Sequence, residues 1–152
     1  MKKLFAPLLL SFVVLLLAGC ASHIEATTAG LQADLLKIQR AGNGDLLVTW
    51  RVRNPNVVSY VLTKNSLKLS LDGIAIGTLE GQQRFGIPSM NEMEQNGVLP
   101  APSGAAAEAV TRALQRGSAN YTLNATLWLL IVDDDVERFN LSGSGSVPVV
   151  AK

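Results

Sequence analysis

The chain has 152 residues, 48% of them hydrophobic and 16% charged, with thirteen Lys and Arg facing twelve Asp and Glu. So apolar and nearly neutral a composition excludes intrinsic disorder, which goes with low hydrophobicity and high net charge, and it offers no basic patch for nucleic acid. The single cysteine, Cys20, excludes an intramolecular disulfide and a cysteine-built structural metal site, and the single histidine, His23, lies close beside it.

In chain order, the first twenty residues run Lys2-Lys3, an apolar core from Leu8 to Leu17, and then Leu17-Ala18-Gly19-Cys20. Two cations, a short apolar stretch and small residues before a cut are the anatomy of a secretory signal. The apolar run from Leu4 to Leu17 is shorter than the roughly 20 residues of a spanning helix and ends without a basic flank, which argues against an uncleaved anchor. Leu17-Ala18-Gly19-Cys20 resembles the lipobox of bacterial lipoproteins. The resemblance implies that residues 1–19 are removed as a signal peptide and that Cys20 carries a thioether-linked diacylglycerol and an N-acyl chain, with palmitate as a label for both. One acyl chain binds a membrane reversibly, whereas two or more anchor stably. Ala21, in place of the Asp that retains enteric lipoproteins at the inner membrane, implies the outer membrane of a Gram-negative cell, facing the periplasm. Residues 20–30 then form a small, polar tether whose extended reach is about 30 Å, so the domain works close to the bilayer. His23, on that tether, lacks a scaffold for catalysis or metal binding. Loss of Lys2 and Lys3 leaves a net charge of about −1.

Residues 31–150 have the length of one domain, enough to bury a core without staples. Leu31, Ala33, Leu35 and Lys37 share one face of a first strand, although Leu35-Leu36 blurs the alternation. After the turn Gly42-Asn43-Gly44-Asp45, the residues Leu46, Val48, Trp50 and Val52 alternate with Leu47, Thr49, Arg51 and Arg53, the period of a half-buried strand. Asn54-Pro55-Asn56 ends it, because proline removes a ladder donor and asparagine accepts turn geometry. Leu67, Leu69 and Leu71 mark a second strand; Asp72-Gly73 predicts a hairpin, with Ile74, Ile76 and Thr78 returning and Gly77 and Gly81 as bend points. Phe85, Ile87 and Pro88 lead into a polar stretch, Ser89 to Gly97, with room for one short strand. Ala105 to Arg116 reads as the one helix, introduced by Ser103-Gly104 and ended by Gly117. Its narrow stripe of Ala106, Ala109, Val110, Ala113 and Leu114 is expected to pack on the domain's own sheet, a partner helix being the alternative. From Tyr121 to Val132 the alternation returns, and beyond Leu127 both faces are apolar, as in a central or covered strand. Trp50 and Trp128 are expected in the core. Asp133-Asp134-Asp135 reads as a charged turn without the spacing of a calcium loop. Val136 to Leu141 and Val147 to Val150 follow as two strands around Gly143-Ser144-Gly145. The acceptor triplets at Asn120, Asn124 and Asn140 are chance matches in a bacterial lipoprotein.

The ordered set Trp50-Arg51-Val52-Arg53-Asn54-Pro55-Asn56, Leu69-Ser70-Leu71-Asp72-Gly73, Ile74-Ala75-Ile76-Gly77 and Ile87-Pro88 resembles the type 2 late-embryogenesis-abundant (LEA) proteins and the related water-stress and hypersensitive-response (WHy) domain, over Leu31 to Leu141. The resemblance implies a mainly β fold, a Greek-key or fibronectin III-like β-sandwich with one α-helix, and a stress-associated role in desiccation. The alanine-rich helix departs from the simplest plant pattern. Asn54, Pro55, Asn56, Gly73 and Gly77 carry the resemblance and are read as architecture rather than as a site. No nucleophile–base motif is spaced for catalysis, so the expectation is a monomeric, non-enzymatic protein without cofactor or metal. Its partners are the membrane, through the lipid, and envelope proteins or lipids. The alternative is an envelope accessory subunit or apolar-ligand carrier with a groove between sheet and helix, motivated by the doubly apolar stretch Leu127 to Val132.

Overall fold

The computed structural model describes residues 30–130 and 135–152. Residues 1–29, on which the expected signal peptide, Leu17, Ala18, Gly19, Cys20, His23 and most of the expected tether fall, and residues 131–134 lie outside the described residues.

The described chain is mainly β with one helix. Its elements are β1 (Gln32–Arg40), β2 (Leu46–Asn54), β3 (Tyr60–Leu71), β4 (Ile74–Gly81), β5 (Phe85–Ile87), β6 (Asn91–Leu99), α1 (Gly104–Arg116), β7 (Ser118–Leu130) and β8 (Val136–Ala151). The strands run in the order β4-β3-β7-β8-β1-β2-β6, with β5 added to the start of β3. Every pairing is antiparallel except the last three residues of β1, which run parallel to the end of β8. That single parallel contact, Ile38 to Arg40 on Val149 to Ala151, joins a three-stranded half, β1-β2-β6, to a four-stranded half, β4-β3-β7-β8, in one curled mixed sheet. The two halves face each other across a common core, as the layers of a β-sandwich do.

Alternation fills that core. Leu46, Val48, Trp50 and Val52 from β2 meet Leu67, Leu69 and Leu71 from β3 and Leu123, Ala125, Leu127 and Leu129 from β7, all buried in one cluster. Truncating any of these large side chains to alanine would cost about 2–5 kcal/mol in lost transfer energy and cavity. Two glycines lie where the halves pack tightly. A Cβ on Gly143 of β8 would lie 2.2 Å from the Ala33 carbonyl oxygen of β1, and one on Gly97 of β6 would lie 2.4 Å from Leu79 Cδ1 of β4. A side chain at 143 could not let these two backbones come so near, and one at 97 would displace the Leu79 side chain from the core.

The helix closes one end. Ala109, Val110 and Ala113 are buried, Ala106 and Leu114 pack beside them, and Gly117 ends the helix at φ +76° with its N–H on the Leu114 carbonyl. The stripe expected to pack on the domain's own sheet does so. Ser103 stands at the N-cap position, but its hydroxyl makes no capping bond.

The structure corrects the sequence reading in five places. Lys37 is exposed rather than on the inner face, because Leu36 is an extra residue between the Leu35–Trp50 and Lys37–Thr49 pairs; past this bulge Ile38 is the buried residue. A second bulge between Leu69 and Ser70 of β3, against Ile76 of β4, buries Ile76 and then Leu79 while leaving Thr78 outside. The polar stretch after Pro88 is a nine-residue strand, β6, and the two strands expected after Val136 are one sixteen-residue strand, β8. Trp50 is in the core, but Trp128 lies on the outer face of β7, half-buried, with the Lys64 ammonium 4.8 Å from its ring centroid.

Candidate functional site

Asn54, Pro55 and Asn56 occupy the end of the sandwich opposite the helix. Asn54 is the last residue of β2, paired with Asn91 of β6, and the inward phase of its strand carries its side chain into the core, where it is wholly buried. A buried amide must be bonded or it destabilises the fold. Here Nδ2 donates to the Val58 carbonyl at 2.8 Å and the Pro88 carbonyl at 3.0 Å, and Oδ1 accepts from the Asn56 N–H at 3.0 Å. One side chain therefore ties the β2–β3 connection to the β5–β6 connection. Two further bonds complete the joint, from the Met90 N–H to the Asn56 carbonyl at 2.9 Å and from the Ser89 N–H to the Ser59 hydroxyl at 3.1 Å. Asn56 plays a lesser part, since its Nδ2 is buried without a hydrogen-bond partner.

The joined loops expose apolar side chains. Val57 is 83% exposed, Met90 70% and Val58 46%. Met90 also has φ +52°, a left-handed backbone uncommon for a residue with a side chain and fixed here by its bond to Asn56. The described chain begins at the same place, where a Cβ on Gly30 would stand 3.3 Å from Pro55 Cγ and Gln32 pairs with Arg53. Beside the loops Arg53, Pro55, Met90, Asn91 and Glu92 border a shallow concavity of about 380 Å³.

The outer face of β1-β2-β6 next to this tip carries a charge lattice. Arg51 bridges Asp34 at 3.3 Å and Glu92 at 3.2 Å, and Arg53 reaches the same two carboxylates at 3.7 and 3.5 Å. Burial works against the Arg51 charge, but the hydrogen bond to Asp34 and the charges of Glu92 and Asp34 outweigh it and raise its pKa. Two cations and two anions cancel, so the lattice presents little net field.

Gly73 and Gly77 belong to the other end. Asp72 and Gly73, at φ +48° and +80°, form the type I′ turn that the twist of a two-residue hairpin favours. Gly77 sits at the β3–β4 bulge with φ +149°. The five motif residues thus mark both ends of β3 and do not converge on one site. At this second end the Asp72 carboxylate accepts from Arg116 of the helix and from the Asn120 N–H, and these two bonds hold its pKa below the ordinary carboxylate range.

A second concavity, about 290 Å³, opens between the β4–β5 connection and β6, with Trp50, Asn65, Gln82, Gln83, Gln95 and Asn96 among its lining. A third, of about 420 Å³, lies beside α1 and is bordered by Ile76, Leu99, Pro100, Pro102 and Ala106. Leu127 and Leu129, where the carrier reading begins, are wholly buried in the core and line neither opening. Asp135 is exposed, Asp133 and Asp134 lie outside the described residues, and among the described residues no cluster of three His, Cys, Asp or Glu side chains could hold a metal ion.

Sequence reasoning missed the exposed Val57, Val58 and Met90. A pair of valines directly after Asn-Pro-Asn was the available signal, since a loop tip ordinarily carries polar residues.

No protein-family model matches the chain, and no curated protein matches it. Among solved structures it is similar to a protein from Archaeoglobus fulgidus, at 12% identity and a TM-score of 0.44 over 78% of this chain and 94% of that one. It is also similar to an Arabidopsis thaliana protein solved in solution, at 16% identity and 0.48 over 80% and 79%. A third structure, of a candidate late embryogenesis abundant (LEA) protein, aligns at 16% identity and 0.41 over 95% of this chain and 85% of that one. None of these scores reaches 0.5, and the architecture rests on the strand register and core described above.

Proposed function

We propose that this chain is a lipid-anchored, non-enzymatic domain of the LEA type 2 kind, held by Cys20 at the periplasmic face of the outer membrane. There it acts by surface binding or protection during desiccation or related envelope stress. The observation that carries the reading is Leu17-Ala18-Gly19-Cys20 after a charged and apolar leader, followed by a tether of residues 21–30 too short to let the domain leave the bilayer by more than about 30 Å. A fibronectin III-like, Greek-key form of the sandwich fits the reading: the connections from β2 to β3, from β4 through β5 to β6, and from β6 through α1 to β7 each pass between the two halves. The charge lattice and the opening lined by Asn and Gln residues beside Trp50 make these two faces of the domain polar and nearly neutral, which suits contact with hydrated surfaces better than capture of a charged ligand.

The test is survival of drying in a deletion strain carrying the gene for the wild-type chain or for Cys20→Ala. The wild type restores survival and Cys20→Ala does not, because location is part of the mechanism. Equal rescue by both would refute an anchored mode of action.

A further inference from the structure

Apolar exposure among the described residues is greatest at Val57 and Met90, on two loops that the Met90–Asn56 hydrogen bond and the Asn54 side chain hold as one body. The chain enters the domain beside them, with Gly30 against Pro55. On the lipid-anchor reading, on which this inference rests, the tip and the lipid attachment are separated only by residues 21–30. Even fully extended, a segment of that length reaches only about 30 Å. The tip is therefore the part of the domain held nearest the bilayer, at an effective concentration that needs little intrinsic affinity to produce contact.

We propose that the tip formed by Val57, Val58 and Met90 seats in the interfacial layer of the bilayer and sets the domain upright on the membrane, with the helix end pointing away. The apolar side chains enter the acyl boundary, while Ser59, Ser89 and Asn91 stay among the headgroups. Arg51 and Arg53 are already neutralised by Asp34 and Glu92, so the contact is apolar rather than electrostatic. It does not depend on anionic lipid or on salt, unlike the attraction of a basic patch. The lipid thus supplies attachment, and the tip supplies orientation.

The test uses the full lipidated chain in phosphatidylethanolamine–phosphatidylglycerol vesicles. Once Cys20 is acylated, Val57→Cys or Met90→Cys provides the one free thiol for an environment-sensitive fluorophore, with Val98→Cys, on the outer face of β6, as the control. At positions 57 and 90 the expected results are a blue shift on reconstitution and loss of emission on doxyl-labelled lipids, both unchanged at high salt. Position 98 shows neither. A blue shift without quenching by doxyl lipids would mean that a second copy or another protein covers the tip, and would overturn the proposal. A water-like spectrum at 57 and 90 on vesicles that retain the protein would also overturn it while leaving the anchor intact. Failure of the chain to take up palmitate at Cys20 would identify the anchor reading itself as the fault, and the orientation proposal would fall with it. Melting curves of each labelled variant show that the tip still folds.

Discussion

Two polar knots tie the ends of this sandwich, and they differ in where they sit. Asn54 is wholly buried and joins two loops by three bonds. Asp72 lies in solvent and joins the β3–β4 hairpin to the end of α1 and the start of β7. The same kind of hydrogen bond has different consequences in the two places. At Asn54, loss of the wholly buried amide leaves the part-buried Val58 and Pro88 carbonyls without that partner, each a loss of about 1–3 kcal/mol. At Asp72, water replaces the lost partner, and exposed charged pairs contribute little. The buried knot also leaves its end of the molecule open, with apolar residues at the tip, whereas the solvated knot belongs to an end already covered by the helix.

The comparison breaks most readily at Asn54. Asn54→Ala is expected to destabilise the domain by about 3 kcal/mol, read as a fall in the midpoint of urea unfolding with unchanged slope. Pro55→Ala should cost about 0.4–1 kcal/mol through the entropy of the unfolded chain. Asn56→Ala should cost less than Asn54→Ala, because its Nδ2 has no partner to lose. Equal losses at Asn54 and Asn56 would contradict the assignment of the knot to one residue.

The smaller effect belongs to Asp72. Its folded pKa is lowered, first by the Arg116 hydrogen bond and then by the Asn120 N–H, so its contribution is fully present above the unfolded carboxylate pKa. That contribution disappears as pH falls through the lower folded value. Asp72→Asn should therefore lower stability at neutral pH and converge with the wild type in strong acid, and added salt should narrow the difference. A gap between the two proteins that widened on acidification would overturn this sign.

Much of the fold was legible where burial follows a clean period. β2 was read almost residue for residue because Leu46, Val48, Trp50 and Val52 point inward without interruption. The I′ turn and the helix stop were carried by Asp72-Gly73 and Gly117, whose positive φ angles allow few other residues. Bulges hid the rest. The Leu62–Lys64 shift lets the Thr63 hydroxyl reach the Trp128 carbonyl at 2.9 Å, but it interrupts the alternation, so the first half of β3 carried no readable period. β8 was split because Gly143 and Gly145 look like a break in sequence, while in the fold they let the strand pass against Ala33 and Tyr121. Asn54 was read as part of a turn because asparagine before proline ordinarily is; its role as a core residue depends on Val58 and Pro88, and no local pattern reports such partners. The exposed tip was only half legible for a related reason: the paired valines after Asn-Pro-Asn were a signal, but the exposure of Met90 beside Val57 is decided by how two distant loops dock.

The account rests on Cys20 as the point of attachment, and palmitate labelling tests that most directly. Cells producing the wild-type chain should incorporate label into a processed protein, whereas Cys20→Ala should accumulate as an unlabelled precursor of higher mass. Equal labelling of the two would contradict the account at its base.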